Sequence, residues 1–202
     1  MKENVVIDVG AYIGITVADI YHKYPTSMIY AFEPCRTTFH QLQRNLGNAP
    51  RVTLLQEAVD IENTITKFHE TTAKVCASLA LPCGSDKWKK SENDKNAFDI
   101  VDSYDVKCTR LDSFLEREQI KSVEYLKIDA QGRDLNVLKS LGGRIGDVKN
   151  ILAEARLTDF NMYEGDCHRD ELVEFMVQKG FDVVSSEKQT FDQEENILFK
   201  RR

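Results

Sequence analysis

Residues 5–14 read VVIDVGAYIG, an apolar run that breaks at Gly10 and meets a second glycine at Gly14. A run apolar in both side-chain directions is what a strand covered on both faces looks like, as in a parallel sheet. Gly10 permits a sharp turn and lets bare backbone approach a ligand. Gly14 does the same at the mouth of the next helix, whose free N–H groups suit a carboxylate or phosphate. A dinucleotide loop needs G-x-G-x-x-G, yet the later glycines would fall where Tyr12 and Ile15 stand. Tyr12 would crowd a pyrophosphate, and no G-K-[ST] is present after it to make a Walker loop. Taken alone, the turn is also compatible with a plain strand–helix corner.

Beyond this turn the chain alternates between strand and helix patterns. Residues 14–24 have a helical pattern that stops before Pro25, Met28–Phe32 is a second buried strand, and residues 36–46 form a second helix. Val52–Val59 is the third strand. Ile65–His69 and Val106–Thr109 are short strands, and Leu111–Glu118 is a short helix. Val123–Asp129 and Val148–Glu154 are further core strands, with a helix at Asp134–Leu141 between them. An amphipathic helix over 168–179, with Leu172, Phe175 and Met176 inward, precedes two last strands at Phe181–Ser185 and Asn196–Lys200. Strand–helix alternation with short links is the signature of an α/β, doubly wound sheet. The expected organisation is a single domain over 1–202, with a charged flap or disordered loop at 82–103.

Composition excludes several classes. The net charge is −6, which argues against a general nucleic-acid binder. Lys87-Trp88-Lys89-Lys90 is locally basic but flanked by acids, and reads as a solvated loop. No run of about 20 apolar residues exists to span a membrane. With no signal-peptide pattern at the start, the expected location is cytoplasmic. The five cysteines, Cys35, Cys76, Cys83, Cys108 and Cys167, contain no C-x-x-C and read as reduced structural thiols.

Acids gather where a ligand would bind. In open α/β sheets that place lies outside the carboxyl ends of the strands. Glu33, in Phe32-Glu33-Pro34, lies 19 residues beyond Gly14, where a carboxylate accepts both ribose hydroxyls of an adenosine. Asp8, Glu57, Asp129 and Glu154 occupy other strand ends. Each alone reads as a solvated cap. Together they make an acidic rim that suits a cation such as the sulfonium of S-adenosylmethionine and repels phosphates.

The segments VIDVGAYIG (6–14), AFEP (31–34), EAVD (57–60), TRLDSFL (109–115) and LKIDAQGRDLNVLKSL (126–141) resemble the FkbM family of S-adenosylmethionine-dependent methyltransferases. YEGD at 163–166 and KGFDVV at 179–184 add to the likeness, which runs from about residue 5 to 199 with the loop 82–103 outside it. The resemblance implies a Rossmann-like, mostly parallel seven-stranded sheet with an antiparallel last strand and helices on both faces. It implies O-methylation of a hydroxyl on a sugar or other natural-product-type small molecule. Cofactor contacts carried over by matching residues are Asp8, Gly10, Tyr12 and Gly14 around the methionine end, Glu33 and Pro34 at the ribose, and Glu57 and Ala58 at the adenine. Ser78 is placed near the site. The family usually reads LKID-V-E-G, whereas Gln131 stands here in place of the Glu, which bears on acceptor binding or proton removal. Relatives also carry sequence before the glycine strand, so the site is expected to be covered by the loop 82–103, by a partner subunit or second copy, or by nothing.

Methyl transfer to a hydroxyl needs in-line placement and removal of a proton. Asp129 is the first candidate base, with Glu154 and His168 next and Gln131 as a neighbour in the catalytic set. Asp129 alternatively binds only the cofactor's ammonium, and His168 alternatively caps a helix. D-x-Q at 129–131 is one carboxylate short of a metal pair and no His cluster accompanies it, so no metal is expected. Phe160, Tyr163 and Trp88 are candidate acceptor-lining side chains, each more commonly a packing residue. Two other readings share the fold: a non-catalytic scaffold and an NAD-dependent oxidoreductase.

Overall fold

A computed structural model describes residues 2, 4–83, 96–189 and 192–202. The chain runs β1 (Val5–Val9), α1 (Ile15–Lys23), β2 (Met28–Phe32), α2 (Arg36–Leu46), β3 (Val52–Leu55), β4 (Ala58–Val59), β5 (Thr64–Thr71), β6 (Ile100–Thr109), α3 (Leu111–Arg117), β7 (Val123–Ile128), α4 (Asp134–Lys139), β8 (Val148–Arg156), α5 (Arg169–Gln178), β9 (Phe181–Gln189) and β10 (Glu194–Arg201). Seven strands form one sheet in the order β3-β2-β1-β7-β8-β10-β9. Pairing is parallel except around β10, which runs antiparallel to both β8 and β9. Among the described residues no helix is long and apolar enough to cross a membrane.

The apolar run at 5–9 is explained by cover on both faces. Val5, Ile7 and Val9 join the core formed with α3, α4 and α5 through Phe114, Leu138, Leu172 and Met176. Val6 points the other way, into the cluster of Val17, Ile20, Phe39 and Leu42 from α1 and α2. Successive side chains of a strand face opposite sides, so apolar residues in both directions serve both layers, with Asp8 the one buried charge among them. In α5, Leu172 and Met176 are buried and Phe175 packs at the margin of the core.

Two expectations are corrected. The third strand does not run from Val52 to Val59. β3 stops at Leu55, whose carbonyl accepts from the Glu33 N–H at 3.0 Å, and the chain then leaves the main sheet. Ala58 and Val59 pair in parallel with Cys108 and Thr109 of β6, and β5 pairs antiparallel with β6, giving a separate three-stranded sheet. The charged loop is also shorter than 82–103. Residues 100–103 belong to β6, in register with β5, and Cys83 N–H donates to the Met162 carbonyl at 2.7 Å. The flap reading for 84–95, with Trp88, lies outside the described residues.

Candidate functional site

Beyond the carboxyl ends of β1, β2 and β7 lies a cavity of about 310 Å³. Its floor is the turn after β1. Gly10 has φ +79°, and a Cβ there would lie 1.9 Å from the Asp129 carbonyl oxygen. The two central strands therefore close on each other only because residue 10 is glycine. Asp129 N–H donates to the Val9 carbonyl at 3.0 Å, extending the pairing to the cavity edge. Tyr12 (φ +52°) and Gln131 (φ +48°), one in each of the two central loops, both adopt the left-handed conformation. For non-glycine residues this costs energy, and such strain collects at functional sites.

The β2 end is built from backbone. Glu33 accepts hydrogen bonds from Tyr12 N–H at 2.8 Å, Cys35 N–H at 2.8 Å and Thr38 Oγ1 at 2.9 Å. It is buried and lines the cavity. Burial pushes its carboxyl up to about 7, against the pull of these donors. Pro34 and Ala58 line the same wall, as does Glu57. Burial works to raise Glu57, but the Lys107 Nζ at 2.7 Å and Thr109 Oγ1 at 2.6 Å hold it below its ordinary value.

The β7 end is built from side chains. Lys127 is almost fully enclosed, with its Nζ 3.0 Å from the Gly10 carbonyl, 3.3 Å from Asp8 Oδ1 and 3.5 Å from Asp129 Oδ2. Burial works against its charge, yet Asp8 and Asp129 outweigh it and hold the ammonium above its usual value. The Asp129 side chain is 39% exposed and faces the cavity, whereas Asp8 is fully buried behind Lys127. Gln131 also lines the cavity, and its Nε2 donates to Asp129 Oδ1 at 2.6 Å. Ser78 lines it from across the mouth and donates to the Gln131 carbonyl at 2.7 Å.

The structure thus brings Gly10, Tyr12, Glu33, Pro34, Glu57, Ala58, Asp129 and Gln131 together around one cavity. Four of the cofactor and catalytic candidates stand outside its wall. Asp8 acts on the cavity only through Lys127. Gly14, φ +94°, caps α1 where a Cβ would meet Leu42 and Leu46 side chains at 2.7 and 2.6 Å. Glu154 lines a second, much smaller cleft with Asp134, Tyr163 and Glu194. Burial, then the Asp129 charge, raise the Glu154 carboxyl well above its ordinary value. His168 is the N-cap of α5, its Nδ1 accepting from Asp170 N–H at 3.3 Å. Tyr163 and Phe160 pack in a cluster with Ala80, Phe98 and Met162 and do not line the cavity.

Sequence reading missed Lys127 and Asp134. The signal for Lys127 was a lone cation in the apolar strand VEYLKI. Asp134 is fully buried, accepts from Ala130 and Glu154 N–H groups at 3.2 and 3.1 Å, and is pushed by burial up to about 7. Among the described residues no group of three or more His, Cys, Asp or Glu side chains is arranged to hold a metal ion.

The cavity fits an adenosyl cofactor: a backbone floor where a Cβ has no room, a buried carboxylate at the β2 end and acids at the other end. Comparison with known proteins agrees in kind. The family model described as "Methyltransferase FkbM domain" matches residues 8–183. "Methyltransferase 1" of Beauveria bassiana is 28% identical over 162 residues, covering 75% of this chain and 64% of that protein. "2-O-methyltransferase NoeI" of Sinorhizobium fredii is 23% identical over 164 residues, covering 81% of this chain and 67% of that protein. The chain spans about two thirds of the length of these relatives. The structure of Aeropyrum pernix fibrillarin with natively bound S-adenosyl-L-methionine shares the fold, with a TM-score of 0.53 at 10% identity, over 98% of this chain and 66% of that one.

Proposed function

The chain belongs to the FkbM methyltransferase family, and from that premise we propose that it transfers a methyl group from S-adenosylmethionine to a hydroxyl of a sugar or natural-product-type small molecule. The observation that carries this reading is Glu33, a buried carboxylate at the end of β2, facing a cavity floored by Gly10. A carboxylate there accepts from paired ribose hydroxyls. The absence of a third glycine and the presence of Tyr12 count against a pyrophosphate. The name of the Sinorhizobium relative, a 2-O-methyltransferase, supports a hydroxyl as acceptor.

The residues divide the work. Glu33 and Pro34 hold the ribose, Glu57 and Ala58 flank the base, and the Gly10–Tyr12 turn meets the amino-acid end. Bound there, the cofactor supplies an electrophilic methyl on a sulfonium sulfur. Asp129 is the open carboxylate at the β7 end and takes the acceptor's hydroxyl proton. Lys127 neutralises Asp8 and balances Asp129, so the acid-rich end carries less net repulsion. The whole unit acts as one methyltransferase domain.

Calorimetric titration with S-adenosylhomocysteine tests the reading, with NAD as control ligand and Glu33→Ala as control protein. One-to-one binding that weakens by roughly thirtyfold or more in the variant, with NAD silent, is the expected result. No binding by folded wild type, or equal binding by a folded variant, would overturn it.

A further inference from the structure

Three separate stretches of chain converge on one residue beside Asp129, Ser78 on its backbone and Asp129 and Tyr163 on its side chain. The Gln131 carbonyl accepts from Ser78 Oγ at 2.7 Å. Its amide Nε2 donates to Asp129 Oδ1 at 2.6 Å, and its Oε1 lies 2.8 Å from the Tyr163 hydroxyl. Tyr163 is 1% exposed, with its ring edge-to-face on Phe98 at 5.7 Å between centroids. The ring packs directly on Gly132, where a Cβ would lie 2.7 Å from the Tyr163 Cβ. A carboxylate oxygen only accepts, so the amide NH₂ faces Asp129 and the amide oxygen receives the tyrosine proton. Residue 131 pays for this in backbone strain, at φ +48°.

We propose that Gln131 and Tyr163 are positioning residues that hold the Asp129 carboxylate in one orientation toward the transferring methyl, Gln131 doing so without adding a second charge. This rests on the cavity being the S-adenosylmethionine site. The amide locks one Asp129 oxygen and leaves the other to Lys127 and the cavity. The carboxylate itself keeps the amide NH₂ toward it, since a turned amide would set two acceptors together, and the buried Tyr163 hydroxyl, 2.8 Å from Oε1 and 3.1 Å from the Cys76 carbonyl, holds the amide in place from behind. A carboxylate at 131 would touch Asp129 at hydrogen-bond distance, and two like charges that close make it harder for both to stay ionised.

Charge at this point can be read by binding alone. S-adenosylmethionine and S-adenosylhomocysteine differ in the methyl and the sulfonium charge, so the ratio of their affinities cancels adenosine contacts and general damage. The groups whose fields bear on Asp129 are Lys127 on β7, Asp8 on β1, Asp134 on α4, Glu154 on β8, and Cys76 and Tyr163 from the loops. Several of these titrate in every variant, so the readout is the difference from wild type, measured by calorimetry between about pH 6 and 8.5.

Asp129→Asn should lower the preference for the sulfonium ligand by roughly tenfold throughout. Gln131→Glu should raise it by about tenfold at the alkaline end, the gain shrinking toward lower pH as the added carboxyl is protonated. Tyr163→Phe, with its packing intact by thermal unfolding, should move part of the way toward Asp129→Asn. A Gln131→Glu ratio that follows wild type at every pH would overturn the role of Gln131, and a wild-type ratio in Tyr163→Phe would leave Tyr163 as packing only. An unchanged ratio in Asp129→Asn would remove the shared target of both. Failure of wild type to bind either ligand would instead sink the cofactor reading, and this inference with it.

Discussion

The two halves of the cavity rim solve the same problem by different means. At the β2 end, Glu33 is held by Tyr12 and Cys35 N–H groups from the turns beside it and by Thr38 in the first turn of α2. At the β7 end, the charges of Asp8, Lys127 and Asp129 answer one another, and Gln131 and Tyr163 complete the set from distant parts of the chain. Backbone donors come with the turn and need no partner elsewhere. Side-chain networks demand that several separate elements arrive in register. The first half is therefore written in a short motif, and the second only in the folded protein.

Breaking the seam between the halves should have the largest effect. In Gly10→Ala the new Cβ overlaps the Asp129 carbonyl and the residue is forced to keep a positive φ. We expect a loss of about 4 kcal/mol or more in urea unfolding, with both ends of the site disrupted. A fully stable variant would mean that the strand ends part easily and the halves are independent.

The second test separates the halves by pH. Asp134 is fully buried and its carboxyl is pushed up to about 7 from an ordinary 3.8. Between those values the folded protein binds more protons there than the unfolded chain, so the contribution to stability is present at low pH and lost as pH rises toward 7. Asp134→Asn should remove from the stability–pH curve a fall on the order of 3 kcal/mol, whatever its absolute stability. Part of the fall should remain, because Glu33 is raised to about 7 as well. A curve with unchanged slope would show that Asp134 does not bear this burden.

The smallest effect belongs outside both halves. His168→Ala removes the side-chain cap from α5 and should cost about 0.5 kcal/mol in thermal unfolding. Affinity for S-adenosylhomocysteine should stay within twofold, roughly the limit of the measurement. A marked drop in affinity would return His168 to the site.

The same physical differences decide how much was legible in the sequence. β1, β2, β7 and β8 announce themselves because both faces are covered, which leaves short stretches with apolar residues pointing both ways. The three-stranded sheet was half hidden. In β6 only Tyr104, Val106, Cys108 and Thr109 are buried, and its first four residues are exposed, so no apolar pattern marked them as strand. β3 and β4 read as one strand because the switch between sheets, at Gln56-Glu57, contains no proline or glycine. At the β2 end Glu33 came from its spacing to Gly14, and Tyr12, Pro34, Glu57 and Ala58 from the family likeness. The partnership of Lys127 with Asp8, and of Tyr163 with Gln131, has no trace in spacing, since the partners lie on different strands or loops.

The left-handed backbone at Tyr12 and Gln131 has a consequence for anyone breeding a hardier form of this protein. Glycine at either place would relax the chain, at about 1 kcal/mol per site. A screen that rewards only survival at high temperature would drift toward glycine at both, and would arrive at a tougher shell whose two strained corners, the ones that shape the cavity, had been smoothed away.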